Sequence, residues 1–161
     1  MKNLLLSLGL CLALTSITLS STAQERTKSG VAIQPLWGPT GFNLVYYYYL
    51  PDIESYYSVP EKKFIYREND NWIFSSTLPE KYKSYDLFSG YKVVLNRPHP
   101  YMNYLAHKAR YARYKGQLNK QESIKNSTNP KYYVVEGHPM SAQLQNVVKQ
   151  TKKGNAGSTG N

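Results

Sequence analysis

The sequence predicts a mainly β protein with one helix: a small antiparallel sheet of about four or five short strands, followed by a C-terminal helix and a flexible basic tail. Three observations predict this fold class. Short runs of β-branched and aromatic residues end at prolines. Two such runs flank a polar turn. One later stretch has apolar residues at helical spacing between prolines and a glycine.

The first residues predict an export signal. Lys2 precedes an apolar run from Leu4 to Leu19, and Ser21–Ala23 supplies the small side chains that a signal peptidase requires. We expect a signal peptide at 1–23, cleavage near Ala23, and a location in the periplasm or at the outer membrane. Cys11, the single cysteine, lies inside this run. The mature chain would therefore have no thiol for a disulfide or a metal.

An extended leader is predicted at 24–43, because it is polar and then rich in glycine and proline, without any periodicity. The Tyr-rich β-domain is predicted to follow at 44–101. Its first two strands are expected at Leu44–Leu50 and Ile53–Val59, each of which ends at a proline.

A β-hairpin is the next predicted element. Lys63–Arg67 and Trp72–Ser76 are short apolar runs on either side of the polar segment Glu68–Asn71. Within each run the aromatic residues are two apart and would share one face of the strand. The prediction is that cross-strand aromatic pairs form between Phe64, Tyr66, Trp72 and Phe74.

A further strand is expected at Tyr91–Leu95, and a helix at 102–116, where Gly116 would stop it. Residues 117–161 are rich in Asn, Lys, Gln and Ser and are predicted to be a basic, largely disordered tail. From 102 onward there are ten basic residues against two acidic ones, whereas 44–101 contains seven of each. The positive charge thus belongs to the C-terminal part.

The run of four tyrosines is the main candidate site. Alternate residues of a strand face opposite sides of the sheet, so we expect one pair to be core and the other to be exposed. An exposed aromatic strip is typical of surfaces that bind glycans or peptides, although a tyrosine run can also serve the core alone. The candidate binding residues are Tyr46, Tyr47, Tyr48, Tyr49, Tyr56 and Tyr57.

These residues also carry a resemblance. The spacing Y-Y-Y-Y-x-P-x-x-x-x-Y-Y from Tyr46 to Tyr57, with later F-x-Y, W and S-x-L-P elements, resembles the small Tyr-rich exported envelope proteins of Gram-negative bacteria. The resemblance covers 44–101. It implies export and a modular β-domain, and it implies no catalytic residue. Glycine often precedes the tryptophan in these proteins, whereas this chain has Asn69–Asn71 there, residues that also tolerate positive φ.

Other chemistry has weaker support. Asp52 and Glu54 would face the same side of a strand and could form an acid/base pair of a hydrolase or a cation site, or simply protect a sheet edge. His99, His107 and His138 have no metal-site spacing, so no metal and no cofactor is predicted.

A basic surface is the second candidate site. Lys108, Arg110, Arg113 and Lys115 are interspersed with tyrosines on the predicted helix. Such a mixture is typical of single-stranded nucleic-acid binding, but an exported protein meets anionic lipid or lipopolysaccharide instead. A solvated helix face is the alternative.

Three functions remain open at this stage. The first is a non-enzymatic envelope module that binds a glycan or a protein partner, with a basic tail that favours anionic surfaces. The second is a structural or assembly component that pairs through an exposed strand. The third is a hydrolase that uses Asp52 and Glu54.

Overall fold

The computed structural model describes residues 30–144 and 146. Its centre is a five-stranded antiparallel sheet in the order β4-β3-β2-β1-β5. A main α-helix follows the last strand, so the predicted mainly β fold with an antiparallel sheet and a helix after it is confirmed. The strands are β1 (Tyr47–Leu50), β2 (Ser55–Ser58), β3 (Lys63–Glu68), β4 (Asn71–Ser75) and β5 (Val93–Leu95), and the helix is α1 (Tyr104–Tyr111).

Short 3-10 turns connect and extend these elements. They occur at Val31–Ile33, Pro51–Ile53, Glu80–Tyr82, Pro100–Asn103, Ala112–Tyr114, Ile124–Asn126 and Pro130–Tyr132. Those at Pro100–Asn103 and Ala112–Tyr114 lengthen α1 at both ends, which matches the predicted helix at 102–116. Gly116 ends it with a φ of 71°, a value that glycine adopts without strain.

The connection between β1 and β2 differs from the prediction. Pro51 starts a 3-10 turn, and Glu54 adopts the left-handed conformation with a φ of 50° before β2 begins at Ser55. Asp52 and Glu54 therefore lie in a turn and not on a strand, so the expectation that alternation places them side by side on one strand is wrong.

The predicted hairpin is confirmed as β3 and β4. Asn69 and Asp70 form its two-residue turn, with φ values of 47° and 63°. Two successive positive φ values are the signature of the type I′ turn, whose twist matches that of the strands. Short polar side chains tolerate this conformation, which explains why no glycine is needed.

The register of this hairpin rules out the predicted aromatic pairs. Tyr66 is opposite Ile73, and Phe64 is opposite Ser75. Because paired residues share a face, the aromatic residues of β3 lie on one side of the sheet and Trp72 and Phe74 on the other.

Both faces of the sheet are covered. On the first, here called the loop face, irregular segments contribute Trp37 and Leu78. On the second, here called the helix face, α1 and its flanking turns pack through Tyr101 and Tyr104. The strand residues of the loop face are Tyr48, Leu50, Tyr57, Phe64, Tyr66 and Val94, and those of the helix face are Tyr47, Tyr49, Tyr56, Ile65, Trp72, Val93 and Leu95.

The expectation of a disordered tail is wrong for the described part of 117–144. Ile124, Tyr132 and Val135 form a third buried cluster, against Val31 and Leu36 of the leader. Backbone hydrogen bonds join the two segments, including Ile124 N to Gly38 O at 2.8 Å and Lys125 N to Leu36 O at 2.9 Å. Neither segment is periodic, so each gains its structure from the other. The predicted signal peptide and the C-terminal residues 147–161 lie outside the described residues.

Candidate functional site

Four of the six candidate tyrosines are core residues. Tyr48 and Tyr56 are fully buried, Tyr49 is 1% exposed and Tyr57 is 9% exposed. The expectation that alternate tyrosines leave one face of the sheet free is therefore wrong. The physical reason is the cover on both faces, which includes the aperiodic leader.

On the loop face, the tyrosines pack around Trp37. The ring centroids of Trp37 and Tyr57 are 4.9 Å apart with an edge-on geometry, and those of Trp37 and Tyr48 are 5.4 Å apart. The Tyr48 hydroxyl donates a hydrogen bond to Gln34 Oε1 at 3.0 Å. Burial raises the pKa of Tyr48, so this hydroxyl stays neutral.

On the helix face, hydroxyl groups are buried beside a histidine. Tyr56 Oη lies 3.0 Å from His107 Nδ1, within hydrogen-bond distance. The Tyr49 hydroxyl is buried and has no hydrogen-bond partner. Burial, together with the charges of Arg97 and Arg110, lowers the pKa of His107. This buried imidazole is thus held in its neutral form.

Tyr46 and Tyr47 differ from the other candidates. Tyr46 precedes β1 and is 42% exposed, while Tyr47 is half-buried. Asn96 fixes this position, since its Oδ1 accepts from Tyr46 N and its Nδ2 donates to Leu44 O, both at 3.0 Å. Both tyrosines line a groove of about 240 Å³, here called the Tyr46 groove. The other lining residues are Ser58, Pro60, Glu61, Arg97 and Pro98.

Glu61 and Arg97 give the Tyr46 groove one charge of each sign. Both side chains are exposed, and within the described residues neither has an ion-pair partner within 4.0 Å. Burial and then the Glu61 carboxylate raise the pKa of Tyr47, which keeps its hydroxyl protonated. The groove thus combines an exposed ring with a free hydrogen-bond acceptor and a free donor. Sequence reasoning missed Glu61 and Arg97, because 36 residues separate them and they match no motif.

A larger groove of about 480 Å³ lies beside the leader and includes Tyr57. Its two charged residues, Lys62 and Glu136, face each other at 3.8 Å. Tyr57 presents little of its ring there, at 9% exposure. This groove therefore offers a ligand less than the Tyr46 groove does.

The two acidic candidates hold α1 and its end against the sheet. Tyr104 Oη donates to Glu54 Oε2 at 2.7 Å, and Lys108 Nζ lies 2.8 Å from the same oxygen. Lys115 bonds the other oxygen of Glu54. Asp52 accepts from Tyr85 Oη at 2.7 Å and from Gly116 N at 2.6 Å.

These contacts decide the protonation of Glu54. Burial alone would raise its pKa, but the hydrogen bonds from Lys108, Lys115 and Tyr104 outweigh burial and lower the pKa to about 2. Glu54 is therefore ionised at neutral pH and has no proton to donate. The geometry gives both carboxylates a structural role.

The basic candidates divide into two pairs. Lys108 and Lys115 are ion-paired with Glu54. Arg110 and Arg113 are exposed, and the guanidinium of Arg113 lies over the Tyr114 ring at 5.1 Å. Of these four candidates, the two arginines have no ion pair among the described residues and could meet an anionic surface.

Among residues 30–144 and 146, no three or more His, Cys, Asp or Glu side chains cluster as a metal site would require. None of the helices in this part of the chain has the length and apolar character needed to cross a bilayer. Comparisons of the chain with protein-family models, with curated proteins and with solved structures found no match.

Proposed function

We propose that this protein is a non-enzymatic envelope protein that binds a glycan in the Tyr46 groove. The observation that carries the proposal is the placement of Tyr46, the most exposed of the six candidate tyrosines, beside Glu61 and Arg97, which have no ion-pair partner among the described residues. An aromatic ring covers the apolar face of a sugar, while a carboxylate accepts hydrogen bonds from its hydroxyls and a guanidinium donates to them. The groove contains all three groups.

The size of the groove favours a glycan over a folded protein as its occupant. A stable protein interface covers about 800 Å² on each partner, whereas this groove is lined by seven residues. One or two sugar units match such a volume of about 240 Å³.

The exposed arginines support a second, weaker association. Arg110 lies on α1 and Arg113 on the 3-10 turn that extends it, neither of which contains an acidic residue, in the C-terminal part that carries the positive charge. We propose that they favour anionic lipid or lipopolysaccharide near the bound glycan. Because the charges are exposed, this attraction weakens as salt screens it.

A titration with envelope sugars tests the glycan proposal. Purified protein is titrated with soluble peptidoglycan fragments and, separately, with lipopolysaccharide core oligosaccharide, and aromatic fluorescence reports binding. We expect Tyr46→Ala to weaken binding at least about tenfold, with an unchanged melting midpoint. Phe88→Ala is the matched control, since Phe88 is 41% exposed at another place.

Salt separates the two kinds of binding. Glycan affinity should change little between low and high salt, whereas attraction by Arg110 and Arg113 should decline. A Tyr46→Ala variant that binds both sugars like the wild type would overturn the proposal. Binding lost only in Arg110→Gln would place the interaction on the helix instead.

Export is part of the proposal and has its own test. The signal at 1–23 predicts that protein recovered from cells begins at or near Gln24. Mass spectrometry of the N-terminus measures this directly. An intact Met1 on most molecules would contradict export by cleavage.

Assembly through an exposed strand is the alternative function, and one observation favours it: β4 is an edge of the sheet. The hydrolase interpretation gains no comparable support, because Asp52 and Glu54 are engaged with Gly116, Tyr85 and the helix.

A further inference from the structure

The edge strand β4 lacks the usual protection against pairing with another strand. Natural edges are blunted by charged residues, prolines or bulges. β4 contains Trp72, Ile73 and Phe74 between Asn71 and Ser75 and pairs with β3 in regular register. Residues 71–79 include no charged side chain, and Phe74 is 46% exposed. An apolar, uncharged edge of this kind is suited to pair with another strand.

The hairpin turn determines which backbone groups of β4 point outward. The residues that flank a two-residue turn exchange both hydrogen bonds, and bonded and non-bonded pairs then alternate along the ladder. The pair Glu68–Asn71 flanks the turn, so Ile73 bonds to β3. Trp72 and Phe74 direct their N–H and C=O groups away from β3, and no turn or loop backbone group of the described residues bonds to them.

The residue pattern of β4 is nearly symmetric about Ile73. A polar residue, an aromatic residue, isoleucine, an aromatic residue and a polar residue follow one another from Asn71 to Ser75. We propose that β4 pairs antiparallel with β4 of a second copy of this chain, about a two-fold axis through Ile73. This inference is independent of the glycan groove.

The proposed register satisfies the free groups of both copies. Trp72 of one copy is opposite Phe74 of the other, and these are the residues with outward N–H and C=O groups. Each such pair exchanges two hydrogen bonds, so the two pairs together form four. The same register brings the aromatic rings together on the helix face, where cross-strand aromatic pairs stabilise a sheet. A shift by two residues in either direction, the next register that keeps the same outward groups paired, would place Ile73 against Asn71 or Ser75.

Exposed side chains beside the strand enlarge the contact. Trp72, Tyr101, Met102 and Leu105 line a groove of about 270 Å³ on the helix face. Met102 and Leu105 are 72% and 73% exposed. A two-fold axis perpendicular to the sheet keeps the helix faces of both copies on the same side, so these residues flank the seam from both copies. Each copy contributes one five-residue strand and a few flanking side chains, so we expect a dimer that dissociates on dilution.

Charge supplies a second signature of this dimer. Each chain has a formal net charge of +10, so two copies repel each other. The paired strand itself carries no charge. Salt should therefore strengthen the dimer by screening the repulsion, the opposite of its effect on an association with an anionic partner.

The test is sedimentation of the purified chain between about 1 and 500 µM, the range in which a small interface becomes populated. We expect the average mass to rise from one chain toward two. Phe74→Pro removes an outward N–H that β3 does not use and should raise the dissociation constant at least about tenfold. Phe74→Lys leaves the backbone intact and should have the same effect. Phe88→Lys, at a comparably exposed phenylalanine, is the control and should not change the constant.

Hydrogen exchange locates the contact. The amide protons of Trp72 and Phe74 should exchange more slowly at high than at low protein concentration. A chain that stays monomeric at about 500 µM overturns the proposal, as does a dimer that neither Phe74 variant weakens. Protection of β4 only when a different protein is added would also overturn it, because the occupant would then not be a second copy. Tyr46→Ala should leave the dimer unchanged, so this test does not depend on glycan binding.

Discussion

The two faces of the central sheet place the same residue type in different surroundings. Tyr48 and Tyr49 are adjacent in β1, and both are buried. On the loop face the Tyr48 hydroxyl bonds to Gln34. On the helix face the Tyr49 hydroxyl has no partner, and its ring lies among Tyr56, His107 and Tyr111.

This difference shows that burial and hydrogen bonding are set by what covers each face. An irregular segment can direct a side chain such as Gln34 at one hydroxyl. A helix presents side chains only at its own spacing, so one hydroxyl, that of Tyr56, meets His107 and the other remains unpaired. We therefore expect the helix face to be the one that contains strain and responds to pH.

The largest expected effects come from removing a ring on either face. Tyr48→Ala and Tyr56→Ala should each lower the free energy of unfolding by about 3–5 kcal/mol, because each leaves a cavity at a fully buried site. Urea denaturation measures both. If one variant lost less than about 1 kcal/mol, the face on which it lies would not be covered as described.

We expect acid to lower the stability of the fold through groups that pack with the helix. The fold lowers the pKa of both Glu54 and His107, so the unfolded chain binds more protons as the pH falls, and stability decreases. The His107 contribution is complete above its ordinary pKa of 6.5 and declines below it. The Glu54 contribution is complete above 4.5 and is lost as the pH approaches 2.

Glu54→Gln checks this assignment. Loss of its charged hydrogen bonds should cost about 1.5–3 kcal/mol at neutral pH and should flatten the stability curve between pH 4.5 and 2. Denaturation midpoints across pH give the curve. An unchanged acid limb in this variant would show that other carboxylates cause the loss.

Removing single hydroxyls sharpens the comparison further. Tyr48→Phe leaves Gln34 Oε1 without its donor and should cost about 1 kcal/mol. Tyr49→Phe removes an unpaired buried hydroxyl and should be neutral or stabilising by up to about 1 kcal/mol. A loss of stability in Tyr48→Phe with no loss in Tyr49→Phe, in both thermal and urea melts, supports the account. Equal losses in the two variants would contradict it.

The smallest expected effects concern the basic side chains. Lys115→Met should cost about 0.5–1 kcal/mol, since Lys115 bonds Glu54 at a site that is 42% exposed. Arg113→Met should change stability by less than about 0.5 kcal/mol, because Arg113 has no ion pair among the described residues. Urea midpoints of the two variants measure the difference in stability. A larger loss in Arg113→Met than in Lys115→Met would contradict the assignment of the stabilising ion pair to Lys115.

The strands were predictable because the local signals agree. Pro51 and Pro60 follow β1 and β2 closely, and the Asn-Asp turn selects the hairpin. The predicted aromatic pairs of that hairpin were wrong, although the turn length excludes them, since two turn residues place Tyr66 opposite Ile73.

Sequence patterns did not predict how the leader and the segment after the helix pack together. Ile124, Tyr132 and Val135 have no periodic spacing, and their partners Val31 and Leu36 lie nearly ninety residues or more away along the chain. Contacts between two aperiodic segments leave no local signature. For the same reason Glu61 and Arg97 could not be connected with Tyr46 before the fold placed them together.

The central claim is that Tyr48 and Tyr49 are core residues while Tyr46 is exposed, and that Tyr46 is the ring we propose to bind a sugar. The most direct measurement compares Tyr46→Ala with Tyr48→Ala in unfolding and in the titration with envelope oligosaccharides. We expect Tyr46→Ala to keep wild-type stability and lose binding at least about tenfold. Tyr48→Ala should lose about 3–5 kcal/mol of stability and, under conditions where it is folded, keep its affinity. A Tyr46→Ala variant with full affinity, or one as unstable as Tyr48→Ala, would contradict the account.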